Sequence, residues 1–128
     1  MTIKSAKTLV ADALSEVKTI SPSEALELLN KNECNLIDIR DGIELLNLGK
    51  IENSFHISRG LLEFSLHPDS PYVQNSNLDL NKEIVLFCAA GGRSALAAKT
   101  LKEMGYKKVS HVEGGFGEMS NSGFKVVK

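Results

Sequence analysis

Apolar residues recur along this chain in two rhythms, one of period three to four and one of short continuous runs. Ala6, Leu9, Val10, Ala13, Leu14 and Val17 fall three and four apart, which is the spacing of one helical face. That spacing predicts an amphipathic helix over residues 3–18, packed on the outside of the domain. Ser21-Pro22-Ser23-Glu24 then reads as a helix start. Ser21 can cap, Pro22 suits the first helical position, and Glu24 stands three residues after the cap. This second helix is expected to run to about Asn30, with Ala25, Leu28 and Leu29 facing inward. Leu36-Ile37-Asp38-Ile39 is a short apolar run of strand type. Asp41 is expected to cap a short helix over Ile43 to Leu48, which Gly49 ends.

Ser54 to Ile57 reads as a short strand. Gly60 to Leu66 reads as a helix with Leu61, Leu62 and Phe64 for packing. His67 to Tyr72 is a turn-rich loop that holds two of the three prolines. Ile84 to Phe87 predicts a buried strand, and Arg93 to Met104 a helix with Leu96, Ala97, Thr100, Leu101 and Met104 on one face. Gly105 stops that helix. Lys108 to Val112 is a last strand, Glu113 to Gly117 a flexible turn, Glu118 to Ser122 a final helical turn, and Gly123 to Lys128 a tail. Strands and helices alternate roughly five times. The expectation is an α/β fold: a central parallel sheet of about five strands with helices on both faces. Residues 1–20 form the outer helix and residues 21–128 the domain proper.

Composition narrows the function classes. A chain of 128 residues suits one domain. Its formal net charge of −1 argues against nucleic acid or an anionic membrane as the main partner. No apolar run approaches the roughly 20 residues that span a bilayer. Met1 to Val10 lacks the sustained apolar stretch of a secretory signal, so the expected location is cytoplasmic. His56, His67 and His111 lack metal-site spacing, and His56 and His111 are read as structural. No Cys-X-X-Cys occurs, which leaves a thioredoxin-type dithiol unsupported. No metal or cofactor is expected.

The candidate chemistry sits between the Ile84 to Phe87 strand and its helix, in Cys88-Ala89-Ala90-Gly91-Gly92-Arg93-Ser94. Two glycines allow a curled loop that points several N–H groups inward. The helix that follows adds the positive end of its dipole at the same place. A thiol held there should ionise more readily than a free cysteine, whose pKa is about 8.5. Cys88 is therefore a candidate nucleophile. Arg93 closes the loop in a Cys-x4-Arg spacing, and either substrate contact or bracing of the loop suits its guanidinium. Arg59 follows a predicted strand and could reach the same rim. Asp38 and Arg40 lie at the carboxyl end of a strand, where α/β sheets keep their ligand crevices, and an ion pair fixing that end is the favoured reading. Cys34 and Cys88 should sit at opposite ends of the sheet, about 16 Å apart, too far for a disulfide.

From about residue 20 onward the chain resembles the rhodanese-like sulfurtransferase family in its single-domain form. The residues that carry this are Leu36-Ile37-Asp38-Ile39-Arg40, Gly49-Lys50-Ile51 leading to Phe55-His56-Ile57, Cys88 to Ala95, and Val112-Glu113-Gly114-Gly115-Phe116. The resemblance implies that Cys88 takes a sulfane sulfur from a donor such as thiosulfate and becomes a persulfide. It then passes the sulfur to a thiophilic acceptor: cyanide, a small thiol or a protein thiol. Amides from Ala89 to Ser94, with Arg93 and Arg59, would hold the substrate. The family often has His at the position of Lys50, Gly-Ala at Asn53-Ser54 and Trp at Met119. Two rivals remain open: a non-enzymatic sulfur-carrier or binding module, and a cysteine phosphatase or arsenate reductase. The latter families carry one more residue between Cys and Arg.

Overall fold

The structure is a computed structural model that describes residues 2–128. Helix α1 (Ala6–Leu14) starts where the Ser5 hydroxyl accepts the Thr8 N–H. It lies on the outside, against the later helix α6 (Gly92–Glu103). It is shorter than the apolar spacing suggests. Lys18–Ile20 forms strand β1, which pairs in parallel with β6 (Val109–Val112) at the sheet edge. Val17, Thr19 and Ile20 are β-branched. Beside an available edge strand, β pairing outweighs the helical period.

Helix α2 (Pro22–Asn30) begins with a capping box between Ser21 and Glu24, as the sequence signature requires. The remaining elements follow in order: β2 (Cys34–Asp38), α3 (Gly42–Leu48), β3 (Lys50–Ile51), β4 (Phe55–His56), a 3₁₀ turn (Arg59–Leu61), α4 (Leu62–Ser65), α5 (Pro71–Gln74), β5 (Glu83–Phe87), α6, β6, α7 (Gly115–Met119) and β7 (Val126–Val127). Five strands make one parallel sheet in the order β1-β6-β5-β2-β4. The α/β architecture with a five-stranded parallel sheet is thus as expected.

Side chains alternate across this sheet, and two hydrophobic clusters result. Ile37, Ile84, Leu86 and Cys88 pack with Ala97, Ala98 and Leu101 of α6 and with Leu62. Leu36, Val85, Phe87 and Val112 pack with Ala25 of α2 and with Phe116 and Met119 of α7. The period of two along β5 therefore delivers Cys88 to the α6 side of the sheet. No helix among the described residues is long and apolar enough to cross a membrane.

Several local expectations are corrected. Leu61 and Phe64 do not pack: Phe64 is 80% exposed and Leu61 is largely exposed, while Leu62 and Leu66 are buried. The buried stripe of α6 runs through Ser94, Ala95, Ala97, Ala98 and Leu101, and Met104 is exposed. Within the turn-rich loop, Ser70 caps a short helix with Pro71 at its first position. Helix α7 opens at Gly115, ahead of the predicted turn at Glu118. The tail is tied down, because β7 pairs antiparallel with β3 (Lys50 opposite Val127, Ile51 opposite Val126). A two-residue strand has no periodicity to read.

Asp38 and Arg40 are both fully buried. Arg40 Nη2 donates to Asp38 Oδ2 at 2.7 Å and to the Gly49 carbonyl at 2.9 Å, and Arg40 Nε donates to Asp38 Oδ1 at 3.0 Å. The guanidinium also lies over the Phe116 ring, 3.9 Å from its centroid. This cluster joins the end of β2 to the start of β3 and to α7. Replacing Asp38→Asn leaves a buried guanidinium without its counter-charge. The expected loss is about 3–5 kcal/mol in denaturant unfolding, and a loss under 1 kcal/mol would show that the pair does not hold the strand end.

Candidate active site

Cys88 follows β5, and its side chain is only 1% exposed. The sulfur is nevertheless not sealed in hydrocarbon. Sγ accepts the Gly91 N–H at 3.2 Å and the Ser94 N–H at 3.3 Å, with the Ser94 hydroxyl at 3.6 Å. Gly91 makes the curl possible: its φ of +113° is costly for any residue with a Cβ. Gly92, Arg93 and Ser94 open α6, so their N–H groups have no carbonyl one turn earlier to bond. One of these orphans, Ser94 N–H, points at the sulfur. The arrangement can hold negative charge on Sγ and on an atom attached to it.

The loop is braced from two sides. From beneath, Cys88 O accepts the Phe116 N–H at 2.8 Å and Ala89 O accepts the Gly117 N–H at 3.1 Å. Gly115 packs so closely that a methyl there would overlap the Cys88 carbonyl oxygen. From the side, Arg93 Nη1 and Nη2 make a two-pronged pair with Glu44 at 2.8 and 2.9 Å. Arg93 is the main cause that holds the Glu44 carboxyl down at about 2, and Glu44 in turn raises Arg93. Glu44 also accepts the Asp41 N–H at 2.8 Å. Both side chains are partly exposed, so this pair positions the loop more than it stabilises the fold.

The residues read from the sequence divide accordingly. Cys88, Gly91 and Ser94 meet at the sulfur. Ala89 anchors the loop through its carbonyl, Ala90 is exposed, and Gly92 starts the helix beside Val10 of α1. Arg93 braces. Arg59 turns away: Nη1 donates to Glu63 at 2.8 Å and Nη2 reaches the Thr100 hydroxyl at 3.4 Å. Asp38 and Arg40 form the buried strut described above. His56 hydrogen-bonds the Arg40 carbonyl through Nε2 at 2.7 Å, a structural role. Cys34 lies at the other end of β2, opposite Glu83. Burial pushes its thiol up to about 11, so it stays protonated at neutral pH. Both cysteines are free. Among the described residues no cluster of three or more His, Cys, Asp or Glu is placed to hold a metal ion.

Sequence reasoning missed two participants. Glu44 was visible only as the third residue after Asp41, a capping-box position; its pairing with Arg93 spans 49 positions. His111 is buried, with Nδ1 2.9 Å from the Ser94 hydroxyl and Nε2 2.9 Å from the Thr19 hydroxyl. Burial lowers its pKa.

A family model for the rhodanese-like domain matches residues 21–122. The chain is 33% identical over 103 residues to the thiosulfate sulfurtransferase GlpE of Pseudomonas putida, covering 80% of this chain and 84% of that one. It is 30% identical over 121 residues to a tRNA uridine(34) hydroxylase of Chlamydia abortus; the match takes in 90% of this chain but only 36% of the hydroxylase. Among solved structures, the polysulfide-sulfur transferase homodimer of Wolinella succinogenes is 38% identical with a TM-score of 0.74, over 94% of this chain and 85% of that one. A protein of unknown function from Rhodopseudomonas palustris, described as a "Possible Tyrosine Phosphatase", is 38% identical with a TM-score of 0.84, over 99% and 98% of the two chains.

Two outcomes are expected. Gly115→Ala forces the Cys88 carbonyl aside; the rate of Cys88 alkylation by iodoacetamide should fall at least about tenfold with secondary structure retained, and an unchanged rate would show that the loop does not lean on α7. For His111, the depressed native pKa means that the unfolded chain binds the proton more readily. Its contribution to stability is present above about pH 6.5 and is lost as pH falls. Between pH 6.5 and 5, wild-type stability should decline by up to about 1.4 kcal/mol per pH unit more than that of His111→Gln. Equal slopes in chemical denaturation would refute this.

Proposed function

The chain belongs to the rhodanese-like domain family, and on that premise we propose that it is a sulfurtransferase whose Cys88 carries a sulfane sulfur as a persulfide. The observation that carries this reading is a sulfur atom receiving two backbone N–H groups at the mouth of α6. With thiosulfate as donor, the Cys88 thiolate attacks the outer sulfur. A new S–S bond forms, the donor's S–S bond breaks, and sulfite leaves with the electron pair. An acceptor nucleophile then attacks the outer persulfide sulfur, and the Cys88 thiolate returns. Cyanide would leave as thiocyanate, and a small or protein thiol would leave as its own persulfide. In both steps the charge moves by about one atom, within reach of the same amides.

The phosphatase reading has one observation in its favour, the description of the Rhodopseudomonas palustris protein. Two features of this chain weigh against it. Four residues separate Cys88 from Arg93, a loop sized for a single added atom. In addition, the Arg93 fork is already occupied by Glu44, whereas a tetrahedral phosphate would need that fork free.

The test is direct. Purified protein incubated with thiosulfate or polysulfide should gain the mass of one sulfur on Cys88 and transfer it to cyanide. Cys88→Ser should lower turnover to background. Undiminished transfer in that variant, or aryl-phosphate hydrolysis as fast as sulfur transfer, would overturn the proposal.

A further inference from the structure

A nucleophilic thiol must lose its proton, and at 1% exposure Cys88 offers solvent little access to that proton. Among the described residues, the hydroxyl hydrogen-bonded to the sulfur is Ser94 Oγ, 3.6 Å away. It stands 2.9 Å from His111 Nδ1, and His111 Nε2 stands 2.9 Å from the Thr19 hydroxyl. Thr19 is exposed on the edge strand β1. It borders a groove of about 230 Å³ that His111, Gly91, Gly92, Val10 and Leu14 also line. Cys88 in the loop, Ser94 on α6, His111 on β6 and Thr19 on β1 thus form an unbroken line of hydrogen-bonding atoms from a buried sulfur to an open groove.

We propose that Ser94, His111 and Thr19 form a proton relay that discharges the Cys88 thiol into this groove, with His111 as the positioning residue that holds the proton in transit. The inference rests on the reading of Cys88 as the nucleophile. The thiol donates toward Ser94 Oγ, and the Ser94 hydroxyl donates toward His111 Nδ1. On transfer the S–H bond breaks and its electron pair stays on sulfur. The thiol proton passes to Ser94 Oγ while the Ser94 proton passes to Nδ1. The imidazolium then releases its Nε2 proton past Thr19 to the groove. His111 is left with its proton on Nδ1, which donates to Ser94, and the Ser94 hydroxyl donates to the thiolate. The same line run backwards returns a proton to a departing thiol. The Gly91 carbonyl, 3.2 Å from Ser94 Oγ, is the competing acceptor.

The surroundings suit an imidazole that is neutral at rest. Burial disfavours its charged form. Its register partner on β5 is Leu86. Of the charged groups on elements packed around it, Lys18 of β1 pairs with Glu83 and Lys99 of α6 pairs with Glu16. On α1, Asp12 pairs with Lys4. Glu113 shares the groove, and Cys88 is reached through Ser94.

The experiment is a pH profile of Cys88 alkylation by iodoacetamide, read by mass in full-length protein carrying Cys34→Ser. It runs beside the rate of sulfur loading from thiosulfate. His111→Asn and His111→Gln keep hydrogen-bonding capacity at one ring-nitrogen position each but cannot take up a proton, and Ser94→Ala cuts the line at the sulfur. All three should move the alkylation midpoint upward by about one unit, a roughly tenfold loss of rate at pH 7. Near pH 9.5 their rates should come within about twofold of wild type, because hydroxide competes there with the relay as proton acceptor. The double variant Ser94→Ala/His111→Asn should be no worse than either single one. An unchanged profile in the His111 variants, a loss equal at every pH, or additive losses would overturn the relay; Ser94→Ala decides the matter if both His111 variants unfold. Failure of wild type to load sulfur, with the alkylation shifts intact, would instead refute the sulfurtransferase reading alone.

Discussion

Two peptide N–H groups on one buried sulfur are the constraint around which the rest of this molecule is arranged. A thiol beneath a close-packed surface loses water as a partner, and burial alone disfavours its ionised form, as Cys34 illustrates at the other end of the sheet. Cys88 is more deeply buried than Cys34, yet it has the Gly91 and Ser94 amides aimed at it. The difference between the two cysteines is therefore one of partners rather than depth. Those amides are available only because the loop curls through a positive-φ glycine and because the first N–H groups of a helix lack internal acceptors.

Such a loop does not hold its shape alone, and its supports come from three places. Phe116 and Gly117 at the start of α7 donate to the Cys88 and Ala89 carbonyls. Phe116 also lies under the Arg40 guanidinium, which Asp38 holds within the core. The loop is thereby joined to β2 through a buried charge that cannot move without losing its partner. On the open side, Arg93 and Glu44 tie the first turn of α6 to the first turn of α3. The side-chain network on the remaining side, from Ser94 through His111 to Thr19, connects the sulfur to the edge strand β1. The N-terminal segment thus contributes more than a cover over α6.

Elements with a strong local signal were legible in the chain itself. Ser21-Pro22-Ser23-Glu24 carries its own cap, and the apolar runs at Leu36 and Ile84 could hardly be anything but buried strands. The Gly-Gly-Arg-Ser after Cys88 marked a tight loop entering a helix. Elements whose identity depends on a distant partner were not legible. Strand β1, at the end of the segment assigned to the N-terminal helix, is a strand because β6 lies alongside to pair with it. Strand β7 is two residues long and exists because β3 lies alongside it. Phe64 and Leu61 satisfied a packing pattern but found no surface to cover.

The chain alone determined the parallel α/β plan, the place of Cys88 at a strand end and the glycine-dependent curl around it, because periodicity, caps and dihedral freedom are properties of neighbours in sequence. Tertiary structure alone decided what the polar side chains with distant partners do. Arg93 grips a carboxylate 49 positions away, Arg59 reaches the Thr100 hydroxyl 41 positions away, and His111 becomes a hydrogen-bond link between Ser94 and a threonine 92 positions away. Such partners are selected by the stacking order of strands and helices, and no local pattern in the sequence encodes which side chains that order brings within hydrogen-bonding distance.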